Sequence, residues 1–548
     1  MPSSNPYPQL SPNPLEPIEQ LAHWLTAAAV HGVLGVSIGL IAARMMHHRH
    51  LHWSWAATGL AFVVLARPVF GGSATMLAVA ALSATARGRR WHHEEVEAGA
   101  DLAEIAASRR GPFDALRAIS HRAVPKLLAS WTTQSLIPAS RNDWFRGGRL
   151  IIGEAPNGRP VSISLGSSTG GTHALVVGAT RSGKTVTMTW MGVRAIEHGM
   201  GAIVIDPKGD RDLRHALYNA ALAAGKPFIE WTPQGRSVYN PYARGSETEI
   251  ADKALAGERF TEPHYLRQAQ RYLAHEVRVL RKSGLEVSLE ALVHHLDPSR
   301  LELLARSLSE SQAQGVHDYL DSLTTRQQSD LAGVRDRLAI MAESDIGRWL
   351  DPRTPGVERL ELLDAVKAQA VVYFNLEADR RPLLAQMLGA AIVQDLQAVV
   401  AALQGRAVPT LVVLDEFSAI APERVVGLFA RASGAGVSLV LGTQELADLR
   451  VPGREMLLEQ VMGNLSALIA HRQVVPASAE LISSMTETRG VWKTSRHGDG
   501  GLTRTRGREH ALRAEQIMSL RQGSAAVVGL SDGGSVSIAR IFSLMRHR

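Results

Sequence analysis

At 548 residues the chain exceeds what one hydrophobic core serves and implies about three folding units. An apolar content of 45% with 20% charged residues excludes a disordered tail, and the absence of cysteine excludes disulfides and thiolate metal sites. The formal charge of +7 fits a polyanionic partner or an anionic membrane face and does not choose between them.

Residues 1–20, MPSSNPYPQLSPNPLEPIEQ, carry six prolines and are expected as a disordered lead-in. From Leu21 to Ala43 the chain is apolar or small except for His23, Thr26, His31 and Ser37. About twenty such residues cross a bilayer core, so a transmembrane helix is expected. The second apolar stretch, Trp53 to Ala86, exceeds one span and contains Arg67-Pro68. It reads either as one tilted helix, giving two spans with the Arg44–His52 loop outside, or as two short spans around a turn at Arg67-Pro68, giving three. Arg44 and Arg49, set against Glu16 and Glu19 in the lead-in, favour three under the positive-inside tendency. Both readings make 21–86 the membrane region. Both put Arg87, Arg89 and Arg90, the linker 87–149 and everything after it in the cytoplasm.

The stretch 150–244 opens with LIIG and VSISL and then changes to strands alternating with helices, the pattern of an α/β fold with a parallel sheet. The apolar run His173–Val177 ends in GATRSGKT, which is Gly178, Ala179, Thr180, Arg181, Ser182, Gly183, Lys184 and Thr185. Glycines in this loop let successive N–H groups turn around a triphosphate. Lys184 supplies a point charge to the outer phosphates and Thr185 a hydroxyl to Mg²⁺. ATP and Mg²⁺ are therefore the expected cofactors. The next apolar run, AIVID, ends at Asp206 and continues PKGD. Between 245 and 350 strand signals vanish and helical apolar spacing takes over, as expected of an all-α domain inserted into the sheet.

The stretch 351–548 returns to strands, at Ala370–Asn375, Leu411–Leu414, Ser438–Leu441 and Ala467–His471, closed by a helix and two further strands. Asp415 ends an apolar strand, as a magnesium-holding acid must, and Glu416 after it can polarise an attacking water. Gln444 ends the strand LVLGT and can hydrogen-bond both a terminal phosphate and water. Arg431 and Arg472 are candidates for a guanidinium inserted from a neighbouring subunit. The segment Arg489–Arg508 combines glycines, basic side chains and Trp492 and is expected as a flexible loop contacting nucleic acid.

HALVVGATRSGKT, IVIDPKGD, VYNPY, LVVLDEF, LVLGTQ and MSLRQGSAAVVGL together resemble the type IV secretion coupling proteins, the TraD/TraG-type conjugative coupling factors of the FtsK/HerA motor superfamily. The similarity runs from about Gly171 to the C-terminus. It implies a RecA-like P-loop ATPase carrying an all-α domain, anchored in the bacterial inner membrane by two N-terminal spans, with its motor in the cytoplasm. It further implies a ring of six subunits that passes relaxase-bound single-stranded DNA to the channel proteins of a type IV secretion system. Carried over by position, Gly178, Gly183, Lys184 and Thr185 form the phosphate loop, Asp415 and Glu416 the paired acids and Gln444 the sensor. The chain reaches Arg548 without a long acidic tail, which moves the expected substrate recognition to the helical insertion. Two rival readings are a double-stranded DNA translocase of the same superfamily and a docking receptor that uses nucleotide only to assemble.

Overall fold

The computed structural model describes residues 16–48, 54–65, 73–97, 144–166, 170–258, 260, 262–420, 422–450, 456–496, 502–531 and 533–544. They divide into two compact units, one comprising 1–134 with 488–509 and the other 135–487 with 510–548.

The first unit holds three helices, Glu16–His48, Ser54–Leu65 and Ala74–Glu97. Within the first, Leu21–His47 is long and apolar enough to cross a membrane. The second has 12 residues, about 18 Å of helix, which is short of a hydrocarbon core. Trp24, Val33, Ile41, Phe62 and Leu65 stand well exposed, while Thr26, Thr58 and Thr85 return their hydroxyls to the carbonyl four residues back. Helices with that combination suit a solvent without hydrogen-bonding partners. The first and third helices touch through small residues. A Cβ on Gly35 would meet the Met76 carbonyl at 2.7 Å, and one on Gly39 the Ala80 carbonyl at 2.3 Å. Ala43 and Ala84 share one buried cluster further on, and His47 lies against Trp91. Both partners advance together, so these two helices run parallel. The residues from Arg44 to His47 therefore sit at the same end as those from Arg87 to Trp91. The Arg67-Pro68 turn lies outside the described residues.

The strands, in chain order, are β1 (Phe145–Arg146), β2 (Arg149–Glu154), β3 (Pro160–Ser164), β4 (His173–Val177), β5 (Gly201–Asp206), β6 (Phe228–Trp231), β7 (Ser237–Tyr239), β8 (Glu358–Leu360), β9 (Val371–Asn375), β10 (Thr410–Leu414), β11 (Val437–Thr443), β12 (Ala467–Ala470), β13 (Thr488–Arg496), β14 (Leu502–His510), β15 (Ser524–Gly529) and β16 (Ser535–Ile541). In the first unit β13 and β14 pair with each other, so the segment expected as a flexible loop is a ribbon of two nine-residue strands. Its glycines and charges hide the Val and Thr positions that favour extended backbone. The side chains of 492–506, Trp492 included, lie outside the described residues.

Twelve strands form the main sheet of the second unit in the order β1-β2-β16-β15-β12-β4-β11-β10-β5-β9-β6, with β3 on β2. From β12 to β6 all neighbours are parallel. The strands β15, β16, β2, β1 and β3 continue the sheet antiparallel. The antiparallel end follows from chain economy, since β15–β16 and β2–β3 are joined by tight turns that cannot cross over. Parallel strands are buried on both faces, which is why HALVV, GAIVID and TLVVL read as continuous apolar runs. Alternate residues serve opposite cores. Ala174 and Val176 join the cluster that contains Trp190, Met191 and Leu217, whereas Leu175 and Val177 join the one that contains Leu388, Ile392 and Leu428.

Six helices occupy the stretch expected as an insertion, from Glu247–Ala254 to Thr325–Ala342. Its two ends are closed by β7 pairing parallel with β8. The root is polar and buried. Lys253 Nζ donates to Asp395 Oδ1 at 2.5 Å and to the carbonyls of Pro241 and Arg244, and Tyr239 OH donates to Asp395 Oδ2 at 2.8 Å. All three ammonium donors are thereby used, the condition under which a buried charge is tolerated. The VYNPY motif thus anchors the insertion to the helix Pro382–Ala402. That helix is apolar enough to span a bilayer, but two-thirds of its apolar window is buried in this core.

Candidate active site

The order β4-β11-β10-β5 brings four strand ends to one edge of the sheet. The phosphate loop leaves β4, Gln444 follows β11, Asp415 and Glu416 follow β10, and Lys208 follows β5. In open α/β sheets, ligands bind at this carboxyl edge.

The loop itself is held by its neighbours. Gly178 N–H donates to the Thr443 carbonyl, Ala179 N–H to the Arg472 carbonyl, and Gly523 N–H to the Ser182 carbonyl. Gly183 has φ +117 and caps the helix Lys184–Glu197 without a side-chain hydrogen bond. The first-turn N–H groups of that helix are then free to face an anion. Beneath the loop lies His471, completely buried. A Cβ on Gly178 would meet its Cβ at 2.6 Å, and one on Gly183 its Cε1 at 3.3 Å. Its Nδ1 lies 3.0 Å from the Ser524 carbonyl, which can only accept, so Nδ1 carries the proton. Nε2 then accepts from the Thr187 hydroxyl at 2.8 Å. Burial lowers the pKa of this imidazole to about 4, so it stays neutral.

The expected residues meet. Lys184 Nζ is 3.0 Å from Asp415 Oδ1. Burial pushes the Asp415 carboxyl up and Lys184 draws it back, leaving it above the ordinary aspartate value. Gln444 Nε2 donates to Glu416 Oε1 at 2.9 Å. The same oxygen is 2.5 Å from Lys208 Nζ. Burial would raise the Glu416 carboxyl, but the hydrogen bonds from Lys208 and Gln444 and the lysine charges hold it below the ordinary glutamate value. Glu416 also adopts φ +46, unusual for a side-chain-bearing residue and typical of functional positions. Next to this pair, Asp206 is fully engaged. It accepts from the N–H groups of Lys208, Gly209 and Asp210 and from the Tyr373 hydroxyl, so it shapes the turn and is not a spare metal ligand.

Arg431 stands apart. It ends the helix Pro422–Ala432 just before β11 begins, which is the opposite edge of the sheet, and its side chain is exposed. Arg472 is exposed at the loop's own edge, immediately after His471. The donor set fits a magnesium-bound nucleotide. Ser182 Oγ is buried without a hydrogen-bond partner inside the loop, and a Cβ on Gly178 would fill the space beside it at 2.5 Å. Asp415 and the Thr185 hydroxyl would hold the ion, and Gly178–Thr185 the phosphates. Among the described residues there is no cluster of three or more His, Asp or Glu side chains for a further metal. Reading the sequence left Lys208 and His471 without roles. The signal for Lys208 was PKGD at a strand end, and nothing local marked His471.

Residues 409–522 match the family model described as the TraM recognition site of TraD and TraG. The bacterial conjugative coupling protein TrwBdeltaN70 in its unbound monoclinic form aligns with a TM-score of 0.54 and 15% identity, over 74% of this chain and 91% of that one. The chain shares its fold with that coupling protein. Plasmid coupling protein TrwB in complex with the non-hydrolysable ATP analogue ADPNP aligns with a TM-score of 0.51 and 16% identity, over 68% of this chain and 85% of that one. No curated protein matches the sequence. At such identities the shared feature is the coupling-protein fold. The family match covers β10 to the turn before β15, the stretch that carries Asp415, Glu416, Gln444 and His471.

Proposed function

We propose that this chain is an ATP-hydrolysing coupling protein that moves single-stranded DNA, delivered with its relaxase, to the channel proteins of a type IV secretion system. The observation that carries the reading is the convergence of Lys184, Asp415, Glu416 and Gln444 at one sheet edge, in a chain whose residues 409–522 match the TraM recognition site. Bound Mg²⁺-ATP supplies the phosphoanhydride bond whose cleavage drives the cycle. Lys184 and the loop N–H groups orient the phosphates, Asp415 and Thr185 hold the ion, and Glu416 accepts a proton from water. Gln444, bonded to Glu416, relays the state of the site to β11. Arg431 acts on a neighbouring copy in a ring. The helices Glu16–His48 and Ala74–Glu97 anchor the chain in the inner membrane. Their parallel course supports three segments, with both basic ends on the cytoplasmic side.

The test is ATP hydrolysis by the full chain in detergent, with and without single-stranded DNA. Stimulation of several-fold is expected, with loss of hydrolysis in Lys184→Ala and retained nucleotide binding without turnover in Glu416→Gln. A rate indifferent to DNA, or unchanged by Lys184→Ala, rejects the motor in favour of a receptor.

A further inference from the structure

Lys208 is a cation at the phosphate edge that the nucleotide-binding motifs do not account for, and it is ion-paired to Glu416. Its backbone is fixed, because the Asp206 carboxylate takes the N–H groups of Lys208 and Gly209 at 2.9 Å and of Asp210 at 2.7 Å. Gly209, at φ +77, leaves no room for a Cβ beside Asn375. The side chain is the movable part, a four-carbon stem 48% exposed with its ammonium 2.5 Å from Glu416 Oε1. Glu416 is fixed from the other side by Gln444, which donates to the same oxygen. Two donors on one carboxylate oxygen restrain the group proposed to act on water. A compact ammonium cannot serve a carboxylate and a phosphate at full strength together, so the two anions compete for it.

We propose that Lys208 is a positioning residue shared competitively between the Glu416 carboxylate and the terminal phosphate of a nucleoside triphosphate, so that Glu416 is released only when that phosphate takes the lysine. This rests on reading Gly178–Thr185 as the nucleotide cradle. Because the two anions compete, a change that removes the Glu416 charge and keeps Lys208 should strengthen triphosphate binding, and triphosphate binding should in turn weaken the Lys208–Glu416 contact.

Calorimetric binding of ADP and of a non-hydrolysable ATP analogue to the full chain, both with Mg²⁺, tests it. Lys208→Met should weaken the analogue by up to about fivefold, the scale of one partly exposed charge contact, and leave ADP unchanged. Lys208→Arg should keep most of the affinity. Glu416→Gln should tighten the analogue alone, and that gain should vanish in the Lys208→Met/Glu416→Gln double variant. A gain that persists in the double variant, or equal effects of Lys208→Met on both nucleotides, overturns the proposal. If binding depends on Lys184 and ignores Lys208, only this inference fails. If Lys184→Ala changes nothing either, the cradle reading fails with it.

Discussion

His173 and His471 are two buried imidazoles at the ends of adjacent strands, and each is lowered to about 4 by burial. His173 Nδ1 accepts the Leu439 N–H at 3.2 Å, and His471 Nδ1 donates to Ser524. The Leu439 bond, and the bond that His471 Nε2 accepts from the Thr187 hydroxyl, require neutral rings. The unfolded chain takes up these protons near pH 6.5 and the folded chain only near 4, so stability is present above 6.5 and is lost as the pH falls between those values. The slope is about 1.4 kcal/mol per pH unit for each histidine. Glu276 works in the opposite sense. It is buried with neither oxygen hydrogen-bonded, and burial raises its carboxyl far above the usual value, so it withdraws stability as the pH rises from about 4.5. The expected result is a urea midpoint that falls from pH 7 to pH 5, with the fall reduced in His173→Asn/His471→Asn. Asn is chosen because its amide can reproduce either bond. An unchanged slope in the double variant means that these rings are not buried neutral.

At the scale of elements, the legible parts were those whose signal is local. A strand covered on both faces is a continuous apolar run wherever it lies in the sheet, and GATRSGKT is complete within eight residues. The Lys208–Glu416 contact was not legible. It depends on β5 lying beside β10, a strand order that the distance between residues 208 and 416 does not encode. His471 was hidden for the same reason, since β12 reaches β4 from almost three hundred residues away. The anchor makes the point for helices. Gly35 and Gly39 are unremarkable until the third helix packs on them, and the parallel course follows from that packing. Because the chain has no cysteine, a pair introduced as Ala43→Cys and Ala84→Cys reports it cleanly. Oxidation should form the intramolecular disulfide. Adding Gly39→Leu, whose Cβ meets backbone, should abolish it, whereas Gly32→Leu, with nothing within 4 Å of its Cβ, should not. Failure of the Ala43/Ala84 pair to cross-link in the parent chain would argue for an antiparallel arrangement.

For the whole molecule, the decisive asymmetry is that Lys184 and Arg431 lie on opposite edges of one sheet. A chain so built cannot complete its own site with Arg431, but head-to-tail contact in a closed ring presents one subunit's edge to the next subunit's opposite edge. If Arg431 serves the neighbour, Lys184→Ala and Arg431→Ala should each abolish hydrolysis, the second by about 10³-fold, as expected for trans arginines. An equal mixture of the two variants should nevertheless recover activity. A working interface needs a chain that retains Lys184, one half of the pool, beside a chain that retains Arg431, the other half, so about a quarter of interfaces in randomly mixed rings are intact. Recovery to about that fraction requires mixing before assembly, which a lag after reconstitution should reveal. Near-normal hydrolysis by Arg431→Ala alone would remove the arginine from catalysis. Absence of recovery in rings proven to contain both variants would mean that any role of Arg431 is confined to its own chain, where the sheet itself separates it from the phosphates.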